Sequence, residues 1–224
     1  MKSPMRGLFI TLEGIDGCGK STQREMLAEK LKSRGFEIVV TREPGGTVIG
    51  EGIRQLLVSD ASVHIAPTTE LLLYVAARAQ HVAELIRPSV DAGRIVISDR
   101  YTDSTVAFQG YGRGLDLDVI ESLNRFATAG LKPDLTIVFD LDPNTARSRS
   151  VSRPVGGLLG AFDEQHADFH ERMRAGYLKM ANDDPSRIRV VDASGAADET
   201  HGQVMSVVLE KIEESAQKAE GSRQ

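Results

Sequence analysis

The residues that most clearly predict chemistry lie near the N-terminus, where positions 14–21 read GIDGCGKS and fit the pattern G-x-x-x-x-G-K-[ST]. In such a phosphate-binding loop (P-loop), glycines let backbone N–H groups turn toward the phosphates of a nucleotide, and the following helix N-terminus adds positive potential. Lys20 is predicted to reach the β- and γ-phosphates, and the Ser21 hydroxyl to bind Mg²⁺. The residues predicted to bind the triphosphate are Gly14, Ile15, Asp16, Gly17, Cys18, Gly19, Lys20, Ser21 and Thr22.

Cys18 is the only cysteine of the chain, so a disulfide within it is excluded. A thiol beside a helix N-terminus and a lysine is favoured as a thiolate, which would make Cys18 reactive. The alternative is that this position of the loop simply accepts a small side chain.

Two more polar segments follow apolar runs that are predicted to be strands. Asp99 and Arg100 come directly after one run, and Arg42–Thr47 comes after another. Because ligands bind beyond the carboxyl ends of parallel strands, these segments and the P-loop are expected at one edge of the sheet. Asp99 is predicted to hold Mg²⁺ through water and Arg100 to clamp a phosphate. The alternatives are a helix cap at Asp99 or a surface ion pair between Asp99 and Arg100.

Residues 145–157 combine arginines with a glycine-rich stretch. We interpret residues 147–162 as a lid that closes over the nucleotide, with Arg149 and Arg153 delivering positive charge to the transferring phosphoryl group. Closure would also exclude water and suppress hydrolysis. The alternative is a solvated surface loop.

The elements that must position these groups are short β-rich runs alternating with helical runs. This alternation predicts an α/β fold with a five-stranded parallel sheet flanked by helices. Residues 68–91 and 164–182 are predicted to be helical, and the second helix carries apolar residues on one core-facing side: Phe169, Met173, Tyr177 and Met180. The predicted strands are Leu8–Leu12, Glu37–Thr41, Ile95–Ser98, Leu135–Phe139 and Arg189–Val191.

Length and composition narrow the class of protein. A chain of 224 residues suits a single domain, 1–224, with a polar tail at 213–224 that is expected to fray. The net charge of −5 argues against a general nucleic-acid binder, which needs a basic face. No stretch is long and apolar enough to span a bilayer, and no signal-peptide-like run precedes the first strand. A cytoplasmic location is therefore expected.

Six segments together carry a more specific pattern. They are Glu13–Thr22, Thr41–Thr47 with Ile53–Leu57, Leu72–His81, Asp99–Gly114, Pro133–Thr136 and Val191–Ala193. In these segments the chain resembles the bacterial thymidylate kinases, of the nucleoside monophosphate kinase group, over roughly residues 7–210. The resemblance implies a three-layer P-loop kinase fold with a lid, and transfer of the γ-phosphoryl group of ATP to dTMP with Mg²⁺ as cofactor. It also implies a homodimer.

The same resemblance implies roles for the residues of the acceptor site. Arg100 would hold the phosphate of dTMP, and Asp16 would lie near its sugar and phosphate. Tyr74 would stack on thymine, where the family usually has phenylalanine, and Arg78 would hydrogen-bond the thymine O4. Phe108, where tyrosine is common, would pack against the deoxyribose and leave no room for a 2′-hydroxyl. The implied dTMP-binding residues are Asp16, Arg42, Glu43, Tyr74, Arg78, Arg100, Thr105, Phe108 and Gln109.

Gly17 occupies the place where another branch of the family has a catalytic arginine, so a lid arginine is expected to supply that charge. The predicted catalytic residues are Lys20, Arg100, Arg149 and Arg153. From the residues alone, Tyr74 and Phe108 could be core aromatics, Arg78 an exposed helix charge, and residues 109–112 only a turn. Two other functions stay open: a kinase for another nucleoside monophosphate or a deoxynucleoside, and a P-loop ATP-binding regulator without a phosphoryl acceptor.

Overall fold

A central parallel sheet organises the chain. The computed structural model describes residues 6–58, 65–151 and 167–221. Within them, five parallel strands form one sheet in the order β2-β3-β1-β4-β5. The strands are β1 Phe9–Glu13, β2 Ile38–Arg42, β3 Ile95–Asp99, β4 Leu135–Asp140 and β5 Ile188–Asp192. All five strand predictions are confirmed, with ends that differ by at most one residue.

Helices connect the strands in the alternation that the sequence predicts. Two π-helical segments, π1 Val82–Ile86 and π2 Val106–Gly112, continue α-helices without a break. The α-helices are α1 Lys20–Ser33, α2 Val48–Val58, α3 Pro67–His81, α4 Arg87–Asp91, α5 Thr102–Thr105, α6 Leu117–Thr128, α7 Pro143–Val151, α8 Ala167–Asp183 and α9 Ala197–Gly221.

The long helix predicted at 68–91 is confirmed, but its hydrogen-bond pattern changes in the middle. The N–H of Arg87 bonds to the carbonyl of Val82, five residues back. Pro88 follows and has no N–H to donate, and its ring would clash with a carbonyl four residues before it. The ladder therefore widens into π1 before α4 resumes.

The predicted core-facing side of the helix at 164–182 is also confirmed. Phe169, Met173 and Tyr177 of α8 are buried, and Met180 packs against the same core. Residues 164–166 of that prediction lie outside the described residues. The frayed tail is wrong for residues 213–221, because α9 continues to Gly221. The residues there include glutamate, alanine, glutamine and lysine, which are strong helix formers.

Helices cover both faces of the sheet, as successive strand residues point to opposite sides. Ile10 and Leu12 of β1 pack in a core cluster that includes Leu27 of α1. Phe9 packs on the other face with Ile86 and other buried residues. The three-layer α/β fold is thereby confirmed. In the described ranges no helix is both long and apolar enough to cross a membrane.

The strand register brings the predicted polar segments together. Asp99 of β3 lies opposite Leu12 of β1 and opposite Arg42 of β2. The carboxyl ends of these three neighbouring strands are thus level with one another. The prediction that the P-loop, the segment after β2 and the Asp99–Arg100 pair share one edge is correct.

Candidate active site

The P-loop joins β1 to α1 and has the form of an anion cradle. Gly14 has φ 137°, and a Cβ there would lie 2.8 Å from the carbonyl oxygen of Phe139, so the position requires glycine. Lys20 Nζ donates to the carbonyl oxygens of Gly14 at 2.9 Å and Ile15 at 2.8 Å. Because α1 begins at Lys20, the N–H groups of its first turn have no partner within the helix. Ammonium, loop and helix terminus together suit a nucleotide phosphate.

The structure separates the two interpretations of Cys18. Its side chain is buried, and burial raises the pKa of the thiol more than the charges of Lys20 and Arg100 lower it. Lys20 Nζ lies 3.6 Å from the sulfur. The thiol is therefore protonated near neutral pH, which favours the interpretation of Cys18 as a small loop residue.

Ser21 and Asp99 meet across the end of the sheet as predicted. The Ser21 hydroxyl donates to Asp99 Oδ2 at 3.2 Å, and Arg24 Nη1 lies 3.7 Å from the same oxygen. A hydroxyl beside a carboxylate fits Mg²⁺, which keeps waters and nucleotide phosphates as most of its ligands. No group of three or more metal-ligating side chains occurs in the described part of the chain. Such a group is not needed for a metal that bridges phosphates.

Arg100 lies against the P-loop, and its carboxylate partner is Asp16. Its Nη2 donates to Asp16 Oδ1 at 2.6 Å, and its Nη1 donates to the Gly14 carbonyl at 3.2 Å. The guanidinium carbon is 4.7 Å from the centroid of the Phe108 ring. Burial acts to raise the pKa of Asp16, but the charges of Arg100 and Lys20 outweigh it and lower the pKa. Asp16 is thus ionised beside two cations.

Arg78 is fully buried, at 1 % exposure, so the exposed-charge interpretation is wrong. Its Nε donates to Glu43 Oε2 at 2.8 Å, and its Nη2 donates to the Tyr101 carbonyl at 2.8 Å. Its Nη1 donates to Thr105 Oγ1 at 2.9 Å and to Asn124 Oδ1 at 2.7 Å. Every nitrogen of this guanidinium is bonded within the protein, so a bond to a base would add to this network or replace one of its members.

Glu43 contacts protein groups rather than the open edge of the site. Besides Arg78, its Oε1 lies 3.0 Å from His81 Nδ1, and His81 Nε2 lies 2.7 Å from Thr41 Oγ1. Glu43 is 4 % exposed. Its contacts within the protein hold Arg78 in place, and the direct contact with dTMP stays a prediction.

The remaining acceptor-side residues cluster around the start of α3 and π2. Tyr74 is half-buried on α3, one turn before Arg78, and burial followed by Glu70 raises the pKa of its hydroxyl, which is therefore neutral. Phe108 is buried in the core cluster and also faces Arg100. Gln109 Nε2 donates to Glu70 Oε1 at 2.7 Å. Residues 109–112 are part of π2, so they are more than a turn.

Only the first residues of the predicted lid, 147–151, lie within the described part of the chain. Arg147 and Arg149 both belong to α7, and Arg149 donates to the carbonyls of Ala193 at 2.8 Å and Ser194 at 2.9 Å, just after β5. Arg153 and residues 152–162 of the proposed lid lie outside the described residues. The structure thus places Arg149 at the carboxyl end of β5.

Sequence reasoning missed several groups. Glu13, Ser104 and Tyr177 form a buried cluster behind Arg100. Arg54 of α2 lies near the residues of the acceptor side, since its charge interacts with Arg42 and Tyr74. Burial and the charge of Arg42 lower its pKa, and groups that include Tyr74 raise it. Glu13 could have been found from its position at the end of an apolar strand, and Ser104 and Arg54 from the motif segments that contain them.

The site combines a P-loop between β1 and α1, a carboxylate at the end of β3 and a second buried cation beside the loop. This combination defines a P-loop nucleotide-binding protein with cations placed for two anions. The comparisons with known proteins narrow this class. The family model for thymidylate kinase matches residues 12–204. This chain belongs to the thymidylate kinase family.

Individual thymidylate kinases are also similar to this chain along most of its length. The chain is 45 % identical over 212 residues to a thymidylate kinase of Geotalea uraniireducens (strain Rf4), covering 93 % of this chain and 99 % of that protein. It is 50 % identical over 189 residues to a thymidylate kinase of Pseudomonas fluorescens (strain Pf0-1), covering 84 % and 89 %. The crystal structure of thymidylate kinase from Ehrlichia chaffeensis superposes with a TM-score of 0.74 at 35 % identity, covering 91 % of this chain and 99 % of that one.

Proposed function

We propose that this protein transfers the γ-phosphoryl group of ATP to dTMP and releases ADP and dTDP. The observation that carries the proposal is the Arg100 guanidinium, which reaches the Gly14 carbonyl of the P-loop and faces the Phe108 ring. A P-loop protein that only bound or hydrolysed ATP would not need a second buried cation at this point. Membership of the thymidylate kinase family supports the same conclusion.

The reaction then depends on holding two anions together. A phosphate monoester has a second pKa of about 6, so dTMP is largely dianionic at neutral pH and needs no strong general base. Two unit charges 4 Å apart repel by about 4 kcal/mol at an effective dielectric constant of about 20. Lys20 on the donor side and Arg100 on the acceptor side offset this repulsion and orient the two phosphates for in-line transfer.

Mg²⁺ is the proposed cofactor. Ser21 would bind it through the hydroxyl and Asp99 through a water, as their contact at 3.2 Å allows. When bound, the metal would neutralise charge on the β- and γ-phosphates of ATP. The residues Gly14–Thr22 would surround these phosphates.

The base and sugar of dTMP would lie between α3 and π2. We assign thymine stacking to Tyr74 and deoxyribose packing to Phe108. Arg78 and Thr105, which already share a hydrogen bond at 2.9 Å, would read the base edge. Arg42, Glu43 and Gln109 complete the proposed set; Glu43 acts through Arg78, and Gln109 anchors π2 to α3.

Three broader features belong to the same proposal. Residues 1–224 form a single kinase domain with a lid at 147–162, and Arg149 or Arg153 supplies the missing loop arginine's charge. The enzyme works in the cytoplasm. It is a homodimer, which is supported by large apolar residues exposed on three helices: Val48 at 88 %, Leu72 at 50 % and Phe126 at 85 %. The three residues lie on neighbouring helices, because α3 contacts both α2 and α6, and adjoining exposed apolar groups mark association surfaces.

A panel of nucleoside monophosphates tests the proposal. ADP formation is measured with ATP, Mg²⁺ and either dTMP, dUMP, dCMP or AMP, and products are identified by chromatography. We expect dTMP to give the highest kcat/KM with stoichiometric dTDP. A higher value for dCMP or AMP would indicate a different monophosphate kinase. Slow ATP hydrolysis that no monophosphate accelerates would indicate the ATP-binding regulator instead.

A further inference from the structure

Glu13 is a fully buried carboxylate directly behind the acceptor side of the site. It ends β1 and is 0 % exposed. Its Oε1 accepts a hydrogen bond from the Tyr101 backbone N–H at 2.8 Å. Its Oε2 accepts from the Ser104 hydroxyl at 2.5 Å and the Tyr177 hydroxyl at 2.9 Å. Three donors from two elements and a connecting segment therefore converge on one carboxylate.

Two of these contacts lead directly to Arg100, and the third donor, the Tyr177 hydroxyl, also lies 3.1 Å from the Ser104 hydroxyl. Ser104 Oγ also accepts from Arg100 Nη1 at 3.1 Å, so a single hydroxyl links the carboxylate to the guanidinium. Tyr101 follows Arg100 in the chain, so its N–H belongs to the peptide group that Arg100 itself begins. Glu13 thus holds both the backbone and the side chain of Arg100.

The backbone of Arg100 needs such support. Its φ of 74° lies in the left-handed region, which is strained for a residue with a side chain. Two further bonds hold it: its N–H donates to the Leu12 carbonyl at 3.0 Å, and its carbonyl accepts from Ser98 Oγ at 2.8 Å. Strained conformations persist only when the surroundings fix them. The Glu13 bond to the next peptide completes this set.

We propose that Glu13, together with Tyr177, is a positioning residue that aims the Arg100 guanidinium at the acceptor phosphate. The inference rests on the proposed function and adds to it two residues to which the family pattern gave no role. Glu13 is too deeply buried to touch either nucleotide, so it acts through Arg100. Tyr177 comes from α8, so the acceptor cation is held by an element 164 residues away from Glu13 in the chain.

The charged form of Glu13 is the one that suits this role. Only a carboxylate accepts from all three donors while leaving Ser104 free to accept from Arg100. Burial, followed by the charge of Asp103 on α5, raises the pKa of Glu13 to about 7, although Arg100 and the hydroxyls of Ser104 and Tyr177 lower it. Below that pH the protonated acid must donate a hydrogen bond itself, which disturbs the Ser104 link. Acceptor use should therefore improve as pH rises through about 7.

The test compares Glu13→Gln and Tyr177→Phe with the unmodified protein, using ATP and dTMP from pH 6 to pH 9. The matched control is Tyr111→Phe, which also removes a tyrosine hydroxyl, on a half-buried ring that packs against α8 at Gly176 and is not part of the Glu13 cluster. We expect Glu13→Gln to raise KM for dTMP about tenfold and lower kcat, with KM for ATP changed less than about twofold. Tyr177→Phe should shift the same parameters about threefold, and the control none of them.

A pH profile separates positioning from general destabilisation. The ratio of kcat/KM for dTMP between the unmodified protein and Glu13→Gln should rise between pH 6 and pH 8, because the titration of dTMP cancels in that ratio. Circular dichroism establishes whether each variant is folded at the assay temperature. If Glu13→Gln does not fold, the kinetics of Tyr177→Phe decide the test. Equal changes in KM for both nucleotides, or unchanged kinetics in the folded variants, overturn the positioning role. An unmodified protein that does not phosphorylate dTMP overturns the proposed function and this inference together.

Discussion

The donor and acceptor sides of the site are built in different ways. The donor side is one continuous segment, Gly14–Thr22, whose shape comes from glycines and from a lysine bonded to carbonyls of its own loop. The acceptor side gathers Arg78 and Arg100 with partners from the strand ends, helices α3, α5, α6 and α8, and the segments between them. Local backbone forms one half, and a buried network of ions and hydroxyls forms the other.

This difference has a thermodynamic consequence. A buried ion pair adds little net stability, but removing one partner leaves an uncompensated buried charge. The donor cation Lys20 bonds to neutral carbonyls, whereas Arg78 and Arg100 each pair with a carboxylate. Substitution of Lys20 should therefore change catalysis alone, and substitution of Arg78 or Arg100 should change catalysis and folding together.

The largest effect is expected on the donor side. Lys20→Ala removes the cation nearest the transferring group, and kcat should fall by about 10³ to 10⁵, the range seen when a charge-stabilising group is removed from phosphoryl transfer. The unfolding free energy should change little. Steady-state kinetics and urea unfolding measure the two quantities. Lys30→Ala, on the exposed face of the same helix α1, is the control. Normal turnover in Lys20→Ala would remove the P-loop from the mechanism.

The largest change in unfolding free energy is expected for Arg78→Met. The variant leaves Glu43 buried without its arginine, so urea unfolding should show a loss of about 3–5 kcal/mol. Lys179→Met is the control because it breaks an ion pair with Asp183 whose side chains are 59 % and 54 % exposed. That surface pair should contribute no more than about 1 kcal/mol. Equal losses in both variants would contradict the contrast between the two sides.

Arg100→Ala should weaken the use of dTMP much more than the binding of ATP. We expect kcat/KM for dTMP to fall about 10²- to 10³-fold, because a charge-assisted contact to the acceptor phosphate is lost. The dissociation constant of ATP, measured by calorimetry without dTMP, should change less than about threefold. Arg34→Ala, at an exposed arginine, serves as the control. Equal weakening of ATP and dTMP would move Arg100 out of the acceptor site.

The smallest expected effect concerns the sugar. Phe108→Ala opens space beside Arg100, and the preference for deoxyribose over ribose monophosphates should fall about tenfold, since packing alone rejects an extra hydroxyl only modestly. The ratio of kcat/KM for dTMP and its ribose analogue measures this preference. Phe36→Ala, at a partly buried phenylalanine of the same core cluster, should leave the ratio unchanged. An unchanged ratio in Phe108→Ala as well would make Phe108 a core residue only.

The sequence predicts the donor side well because its information is local. The order of strand, glycine-rich loop and helix fixes the P-loop, and alternating β-rich and helical runs fix the sheet. Asp99 could be placed because it ends an apolar strand next to β1. These predictions need only neighbouring residues and the general rules of parallel sheets.

The acceptor network could not be predicted in the same way. Tyr177 reads as one member of an apolar stripe on α8, and only the tertiary fold brings its hydroxyl to Glu13. Asn124 of α6 accepts a hydrogen bond from Arg78, and His81 of α3 contacts Glu43. No spacing in the sequence predicts either pair. The motif around Glu43 gave no sign of its hydrogen bonds to Arg78 and His81. Motifs identify which segments matter, while side-chain networks require coordinates.

The left-handed backbone of Arg100 has a practical meaning for protein engineering. An arginine in this conformation gives up about 1–2 kcal/mol that a glycine would not. A design procedure that scores backbone conformation alone would therefore favour glycine at position 100, and that change would remove both the ion pair with Asp16 and the cation that the reaction needs. Substitutions intended to raise the melting temperature should therefore be made in the helical layers and not at position 100.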